Sequence, residues 1–303
     1  MGAASPIERE LIIGGTAVDS ERYPYFTLLF FNSVDGKNDV VCGGTLIHKD
    51  LVLTAAHCYD KTIVNLATST ASVGISTFAS GSTYITRKIA SVTPHPNYKL
   101  TYTAINDIMI VKLAAGVWSI NPIKLNFNSA VPATGAFETV MGFGVTSEAP
   151  NTATNYVLRE VAVSDVEHGI CQGTYGQYLD AASMMCAYNT FKGTCYGDSG
   201  GPLITKGSST ANDVQLGIVS YAVFGCAKYG TPTVFTRVSN YASWIKNQTC
   251  VMSSYKPTYC VANGTTKRPT RRPTRRPTSR PVAPTPHSPV FRTKTPTKAP
   301  TKA

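Results

Sequence analysis

Three short stretches hold side chains that could do covalent chemistry together. Gly197-Asp198-Ser199-Gly200-Gly201-Pro202 sets a serine between glycines. A serine on such a turn can act as a nucleophile, with bare backbone N–H groups beside it to hold an oxyanion. Thr54-Ala55-Ala56-His57-Cys58 lies upstream, and Asn106-Asp107-Ile108-Met109-Ile110-Val111 lies between the two. An alcohol is a poor nucleophile near neutral pH, so a base must accept its proton as the new bond forms. The His57 imidazole, with an ordinary pKa near ~6.5, suits that task and the return of the proton to a leaving group. Asp107 could hold the imidazole in one tautomer and stabilise the cation that forms. The chemistry of such a set is acyl transfer, and the chain order His, Asp, Ser is one of the few orders in which it occurs. Singly, each has a plainer reading: a structural histidine, a turn aspartate, a turn serine. Their joint occurrence with these flanks favours the chemical reading.

The elements that must position these residues read as strands. Phe26–Phe31, Thr45–His48, Leu51–Thr54, Ile108–Leu113, Thr139–Phe143, Tyr156–Val163, Gln215–Ser220 and Thr233–Val238 are short, apolar or alternating, and separated by turn residues. Many short strands predict an antiparallel barrel or sandwich. Gly142 and Gly144 flank Phe143 inside a strand pattern, which predicts close backbone packing or a bulge. One helix is expected near residue 240, capped by Ser239 or Asn240, with Val238, Tyr241, Trp244 and Ile245 at helical spacing.

Composition narrows the class. The chain has 303 residues, 43% of them hydrophobic, and no apolar run of about 18 residues that would span a membrane. Residues 1–10 have no apolar core, so they are not a secretory leader as they stand. Eight cysteines, with no C-x-x-C pair and no zinc-like spacing, read as disulfides of an oxidising compartment. The five histidines (48, 57, 95, 168, 287) lack ligand spacing, so neither a metal nor another cofactor is expected. The formal charge of +11 is concentrated: residues 265–303 carry 11 Lys/Arg and no acid, which leaves 17 basic against 17 acidic residues in the body. The body is neutral, and the charge speaks only for the tail. There Lys-Arg-Pro-Thr and Arg-Arg-Pro-Thr repeat over 267–278, a composition that forbids helix and buries nothing. We expect a disordered tail over 265–303 that contacts a polyanion or cell surface, carries O-glycans, or serves only as a solvated end. Nucleic acid is a poor match for a neutral body. Asn247-Gln248-Thr249 and Asn263-Gly264-Thr265 are N-glycosylation patterns.

Together, Ile12-Ile13-Gly14-Gly15, Cys42-Gly43-Gly44-Thr45-Leu46, Thr54 to Cys58, Asp107-Ile108, Gly142-Phe143-Gly144, Cys195 to Pro202 and Ser220-Tyr221 stand in one order over residues 12–250. In this the chain resembles the chymotrypsin/trypsin-like serine endopeptidases. The resemblance implies an all-β fold of two six-stranded antiparallel barrels with a C-terminal helix, and the active site between them. It implies domain bounds of 12–250, after a short segment 1–11 and before a Cys-containing junction 251–264. It implies a secreted peptide hydrolase acting on protein or peptide substrates as a monomer.

Residue by residue, the resemblance makes Ser199 the nucleophile, His57 the base and Asp107 its orienter, with Gly197 and Ser199 N–H groups as the oxyanion hole. Pairing of Cys42–Cys58, Cys171–Cys186 and Cys195–Cys226 is implied, and Cys250–Cys260 remains by elimination. It implies activation by a new N-terminus at Ile12 that pairs with Asp198. The residue before that cut is Leu11, not Arg or Lys, so a protease of different preference than trypsin is expected to make it. A specificity pocket is implied at Gly193, Thr194, Ser220, Ala222 and Thr233. Gly193 stands where trypsin-like members carry Asp, and without that charge a bound Lys or Arg would be buried unpaired. Elastase-like preference for small or medium uncharged residues is expected, with a deeper chymotrypsin-like pocket as the alternative. A catalytically idle binding homologue would show a broken set, and none of these residues is missing.

Overall fold

The first six long strands close on themselves. In a computed structural model that describes residues 12–19, 21–101, 103–145 and 156–260, they are β1 (Phe26–Phe31), β2 (Val40–His48), β3 (Leu51–Thr54), β4 (Thr70–Val73), β5 (Ile85–Pro94) and β6 (Met109–Leu113). They form an antiparallel barrel in the order β1-β2-β3-β6-β5-β4. β1 and β3 are apolar along almost their whole length, and five of the six residues of β1 are buried. β5 alternates exposed and half-buried positions instead, the pattern of a strand with one wet face. Phe26, Leu29, Phe31, Leu51 and Leu53 fill the interior with essentially no exposure.

A second antiparallel ring follows. It is built from β7 (Phe137–Gly142), β8 (Arg159–Val166), β9 (Met184–Tyr188), β10 (Pro202–Thr205), β11 (Val214–Tyr221) and β12 (Thr233–Arg237). Its order is β8-β7-β10-β11-β12-β9, and β9 pairs back onto β8 to close it. Ile12, Val140, Val161, Leu203, Leu216 and Phe235 pack inside. The two-barrel, all-β architecture expected from the sequence is the one observed.

Several local readings differ. Among the described residues there are two α-helices: α1 (His168–Tyr175) was not expected, and α2 (Ala242–Met252) begins later than predicted. Residues Val238–Tyr241 form a 3-10 turn first, the α2 N-cap is Tyr241, and neither Ser239 nor Asn240 caps the helix. The Ser239 hydroxyl is buried without a partner. β4, β5, β9 and β10 were not separated from their loops by sequence pattern. The strand read at Tyr156–Val163 runs at 159–166.

The fold does not stop at residue 250. α2 continues to Met252, and residues 253–260 lie as a strap against the first barrel. The buried Asp50 carboxylate accepts from the Ser253 hydroxyl at 2.8 Å and the Ser254 N–H at 2.8 Å, and it pairs with Lys112. The Tyr255 ring meets Trp118 edge-on at 4.8 Å. Cys250–Cys260 staples the strap to α2. Residues 1–11 and the basic tail lie outside the described residues. Among the described residues no helix is long and apolar enough to cross a membrane.

Candidate active site

The His57 segment begins where β3 ends. Ala56–Cys58 make a single 3-10 turn after Thr54, and Cys58 is tied to Cys42 of β2 by a disulfide. Asp107 precedes β6 on a turn in which Asn106 takes φ +54°, a left-handed conformation that asparagine tolerates better than most residues. The Asn106 side chain is fixed by Tyr241, whose hydroxyl donates to Oδ1 at 3.0 Å.

This places Asp107, fully buried, under the imidazole. The His57 Nδ1–H donates to Asp107 Oδ2 at 2.7 Å, and the His57 backbone N–H donates to Oδ1 at 2.9 Å. The Ser220 hydroxyl donates to Oδ2 at 2.6 Å, and the Thr236 hydroxyl to the Asp107 carbonyl at 2.8 Å. Three donors thus hold one carboxylate, two from the first barrel's His57 and one from β11 of the second. The sequence pointed to Ser220 only as a pocket residue. Nothing in its type or spacing marks the bond to Asp107, which arises when β11 passes beneath the turn.

The histidine is tuned accordingly. Burial pushes the His57 pKa down, and the hydrogen bond and charge of Asp107 outweigh it, so the net shift is upward from 6.5. With Nδ1 committed as donor to Asp107, Nε2 is the basic nitrogen of the neutral ring.

The nucleophile loop is packed against these same elements. Gly43 N–H donates to the Ser199 carbonyl at 2.8 Å, Gly200 N–H to Val219 O at 2.9 Å, and Val219 N–H to Gly201 O at 2.9 Å. A Cβ on Gly43 would stand 2.8 Å from the Gly201 Cα, and one on Gly200 would strike Thr54. Only glycines allow the loop to lie this close to the segment that carries His57. Cys195–Cys226 braces the loop from the other side. The Tyr196 carbonyl accepts from Val145 N–H at 2.8 Å. In a planar trans peptide the next N–H points the opposite way, so the Gly197 N–H is directed away from Val145.

Asp198 turns inward. Its carboxylate accepts from Gly144 N–H and Cys195 N–H, each at 2.8 Å. A Cβ on Gly142 or Gly144 would collide with it, which accounts for the Gly-Phe-Gly pattern. Full burial raises its pKa from 3.8 to about 7, with the two N–H donors pulling the other way. Ile12 is wholly buried in the second barrel's core and holds φ +43°, a strained value for a β-branched residue.

Ser199 opens onto a cavity of about 220 Å³. Thr194, Tyr196, Ser220, Ala222, Gly225 and the Cys195–Cys226 bridge line it, and no carboxylate does. Two expected residues do not line it. Thr233 is buried with its hydroxyl 3.1 Å from that of Thr194, and Gly193 packs toward Ala227 and Thr233. Of the Thr194–Thr233 hydroxyl pair, only Thr194 lines the cavity. Tyr196 and Gly225 were missed because no chemical signal distinguishes a rim tyrosine or a wall glycine.

All eight cysteines are paired, as Cys42–Cys58, Cys171–Cys186, Cys195–Cys226 and Cys250–Cys260. Among the described residues the one grouping of metal-type ligand atoms is Cys42, His57 and Cys58, and its two sulfurs are already bonded to each other. Asn247 is exposed on α2, where Thr249 donates its hydroxyl to Ile245 O at 2.8 Å. Asn263 lies outside the described residues.

A hydrogen-bonded imidazole and carboxylate beside a glycine-bounded serine can perform acyl transfer. The family model for trypsin matches residues 12–245. The chain belongs to the trypsin family. It is 31% identical over 240 residues to trypsin beta of Drosophila erecta, covering 78% of this chain and 87% of that one. It is 32% identical over 254 residues to phenoloxidase-activating factor 3 of Holotrichia diomphalia, covering 78% and 71%. Among solved structures it is similar to neuropsin, a serine protease of mouse brain, with a TM-score of 0.65 and 25% identity over 77% of this chain and 98% of that one. This trypsin-family chain is a serine endopeptidase, and its substrates are proteins.

Proposed function

We propose a secreted endopeptidase that cuts after uncharged residues through an acyl-enzyme on Ser199. The observation that carries the reading is the bonded array Ser220–Asp107–His57 beside a cavity that opens on Ser199 and has no acid on its wall. His57 takes the Ser199 proton as the hydroxyl attacks the scissile carbonyl, and Asp107 stabilises the imidazolium. The Gly197 and Ser199 N–H groups receive the oxyanion, each donor supplying roughly 3–4 kcal/mol in the transition state. His57 then protonates the leaving amine, and a water repeats the sequence on the ester.

Several relatives are named trypsins, yet the pocket argues against tryptic preference here. A Lys or Arg side chain would reach the Thr194–Thr233 hydroxyl pair and find no carboxylate. Ala222 and Thr194 leave room for Ala, Val or Leu. Release of Ile12 by a cut after Leu11 supplies an ammonium for the buried Asp198 and relieves the strained Ile12 backbone. Four disulfides favour an oxidising exterior. The 265–303 tail contributes polyanion or cell-surface contact, Asn247 and Asn263 are glycan acceptors, and the protease acts as a monomer.

The test uses protein whose N-terminus has been sequenced as Ile12. A fluorophosphonate probe should label it at Ser199. Peptides differing only in the residue before the cut should be cleaved fastest after Ala, Val or Leu. Strong preference for Arg or Lys overturns the pocket reading, and absence of labelling overturns the catalytic one.

A further inference from the structure

Around the strap over residues 253–260, aromatic rings and cations crowd one surface. Trp118 is 63% exposed, and its ring meets the exposed Tyr255 of the strap at 4.8 Å and 75°. Lys49 stands 5.8 Å from the Trp118 ring centre. Its ammonium donates to Ile120 O at 3.1 Å and Trp118 O at 3.4 Å. Arg87 donates to Gly116 O at 3.3 Å and Thr86 O at 3.0 Å. Gly116 in turn packs against both rings. These two charges rest on carbonyl dipoles, not on carboxylates. Asp50, the acid next to Lys49 in sequence, is buried and taken up by Lys112, Ser253 and Ser254. Glu21 faces a neighbouring cavity with Ser119 and Ile120. On the other flank of the strap, Lys246 lies 4.9 Å over the exposed Phe127 ring.

We infer that this face, formed by Trp118, Tyr255, Lys49 and Arg87, is a docking surface for an anionic polysaccharide. An exposed indole offers a flat apolar face to the C–H side of a sugar ring, while its edge stays wet. Lysine and arginine held by neutral carbonyls keep their full charge for sulfate or carboxylate groups, and arginine can bind them bidentately. Residues 265–303 hold 11 further Lys/Arg, which makes the charge of the chain complementary to a polyanion. Acidic glycans are favoured over nucleic acid because four disulfides mark an oxidising exterior.

Trp118 and Trp244 are the chain's two tryptophans, so the patch carries its own reporter. The full chain bearing Trp244→Phe is titrated with heparin, neutral dextran and oligo-dT while indole emission is followed across a salt series. Heparin should shift the emission saturably and dextran should not. Lys49→Ala with Arg87→Ala should weaken heparin binding roughly tenfold and lower the salt slope by about two. Cleavage of a short peptide should be unchanged, which reports an intact fold. Heparin binding that leaves the emission and the double variant unaffected assigns the binding to the tail alone and overturns the patch. Oligo-dT binding as tight as heparin, with the same dependence on Lys49 and Arg87, overturns the polysaccharide assignment.

Discussion

The two barrels treat buried acids in opposite ways. In the first, every acid that goes inside has its donors waiting. Asp107 accepts from His57 twice and from Ser220, and Asp50 accepts from Lys112, Ser253 and Ser254. In the second, burial wins. Asp198, Glu138 and Asp165 are pushed up to about 7, about 8 and about 6, in each case chiefly by desolvation. Both Glu138 oxygens lack a hydrogen-bond partner. Asp213 is the instructive exception: buried at the start of β11, it is satisfied by Arg22 and Tyr25 from the amino-terminal side of the molecule. The first barrel therefore presents a fully hydrogen-bonded His57–Asp107 pair, while the second holds Ser199 and its cavity in a frame short of positive charge. A frame of that kind can be completed by one new cation, and the proposed release of Ile12 would deliver one.

The largest expected effect sits where the barrels meet. Asp107→Asn should lower kcat by roughly four orders of magnitude, the size this change has in serine proteases of the family. Its signature is in the pH profile. The wild type should gain activity with rising pH around an apparent pKa above 6.5, because only neutral His57 is a base. In the variant that pKa should drop, since burial then acts without the carboxylate. An unshifted profile would separate His57 from Asp107 and break the comparison at its strongest point.

Asp198→Asn comes next. The folded pKa lies above the ordinary 3.8, so the precursor holds this proton more tightly when folded. That contribution is complete below about pH 4 and is lost as pH rises toward 7. Cleavage before Ile12 should restore up to about 4 kcal/mol at pH 8 through the new ammonium pair, and little at pH 4. Melting of cleaved and uncleaved chains at both pH values measures this. In Asp198→Asn the gap should close, and the cleaved protein should lose at least ~100-fold in kcat/KM as the oxyanion donors lose their anchor.

How much of this was legible beforehand follows the physics of each signal. The His57–Asp107 pair and the packed serine loop were legible because each sits in a short motif whose glycines and small residues have steric reasons to be there. Gly142 and Gly144 announced a close approach, and the carboxylate of Asp198 is what approaches. The long apolar strands β1 and β3 were legible by composition. β5 and β9 were not, because a barrel wall with one wet face mixes polar and apolar residues over too few positions to show a period. α1 escaped for the same reason, its buried side being little more than Cys171 and Tyr175. Ser220 bonded to Asp107 and Thr194 against Thr233 are meetings of residues far apart in the chain, and no local pattern encodes them.

A smaller effect should come from the finished side. Asp50→Asn leaves Lys112 half-buried without its carboxylate and removes the anchor of the strap. We expect a loss of about 3 kcal/mol, read by thermal melting at neutral pH, with peptide hydrolysis intact below the transition. The smallest effect runs the other way and tests the unfinished side directly. Glu138 lies in β7, 2% exposed, with Asp165 adding repulsion and Arg237 relieving part of it. Its folded pKa of about 8 exceeds the ordinary 4.5, so the penalty is absent below about pH 4, grows through the interval and is complete above about pH 8. Glu138→Gln keeps the shape and removes the charge. The amide still lacks partners, so the gain should fall short of the full shift, at about 2 kcal/mol at pH 9 and none at pH 4. A variant no more stable than wild type at pH 9 would mean that Arg237 already neutralises this site, and the contrast between the barrels would then rest on Asp198 and Asp165.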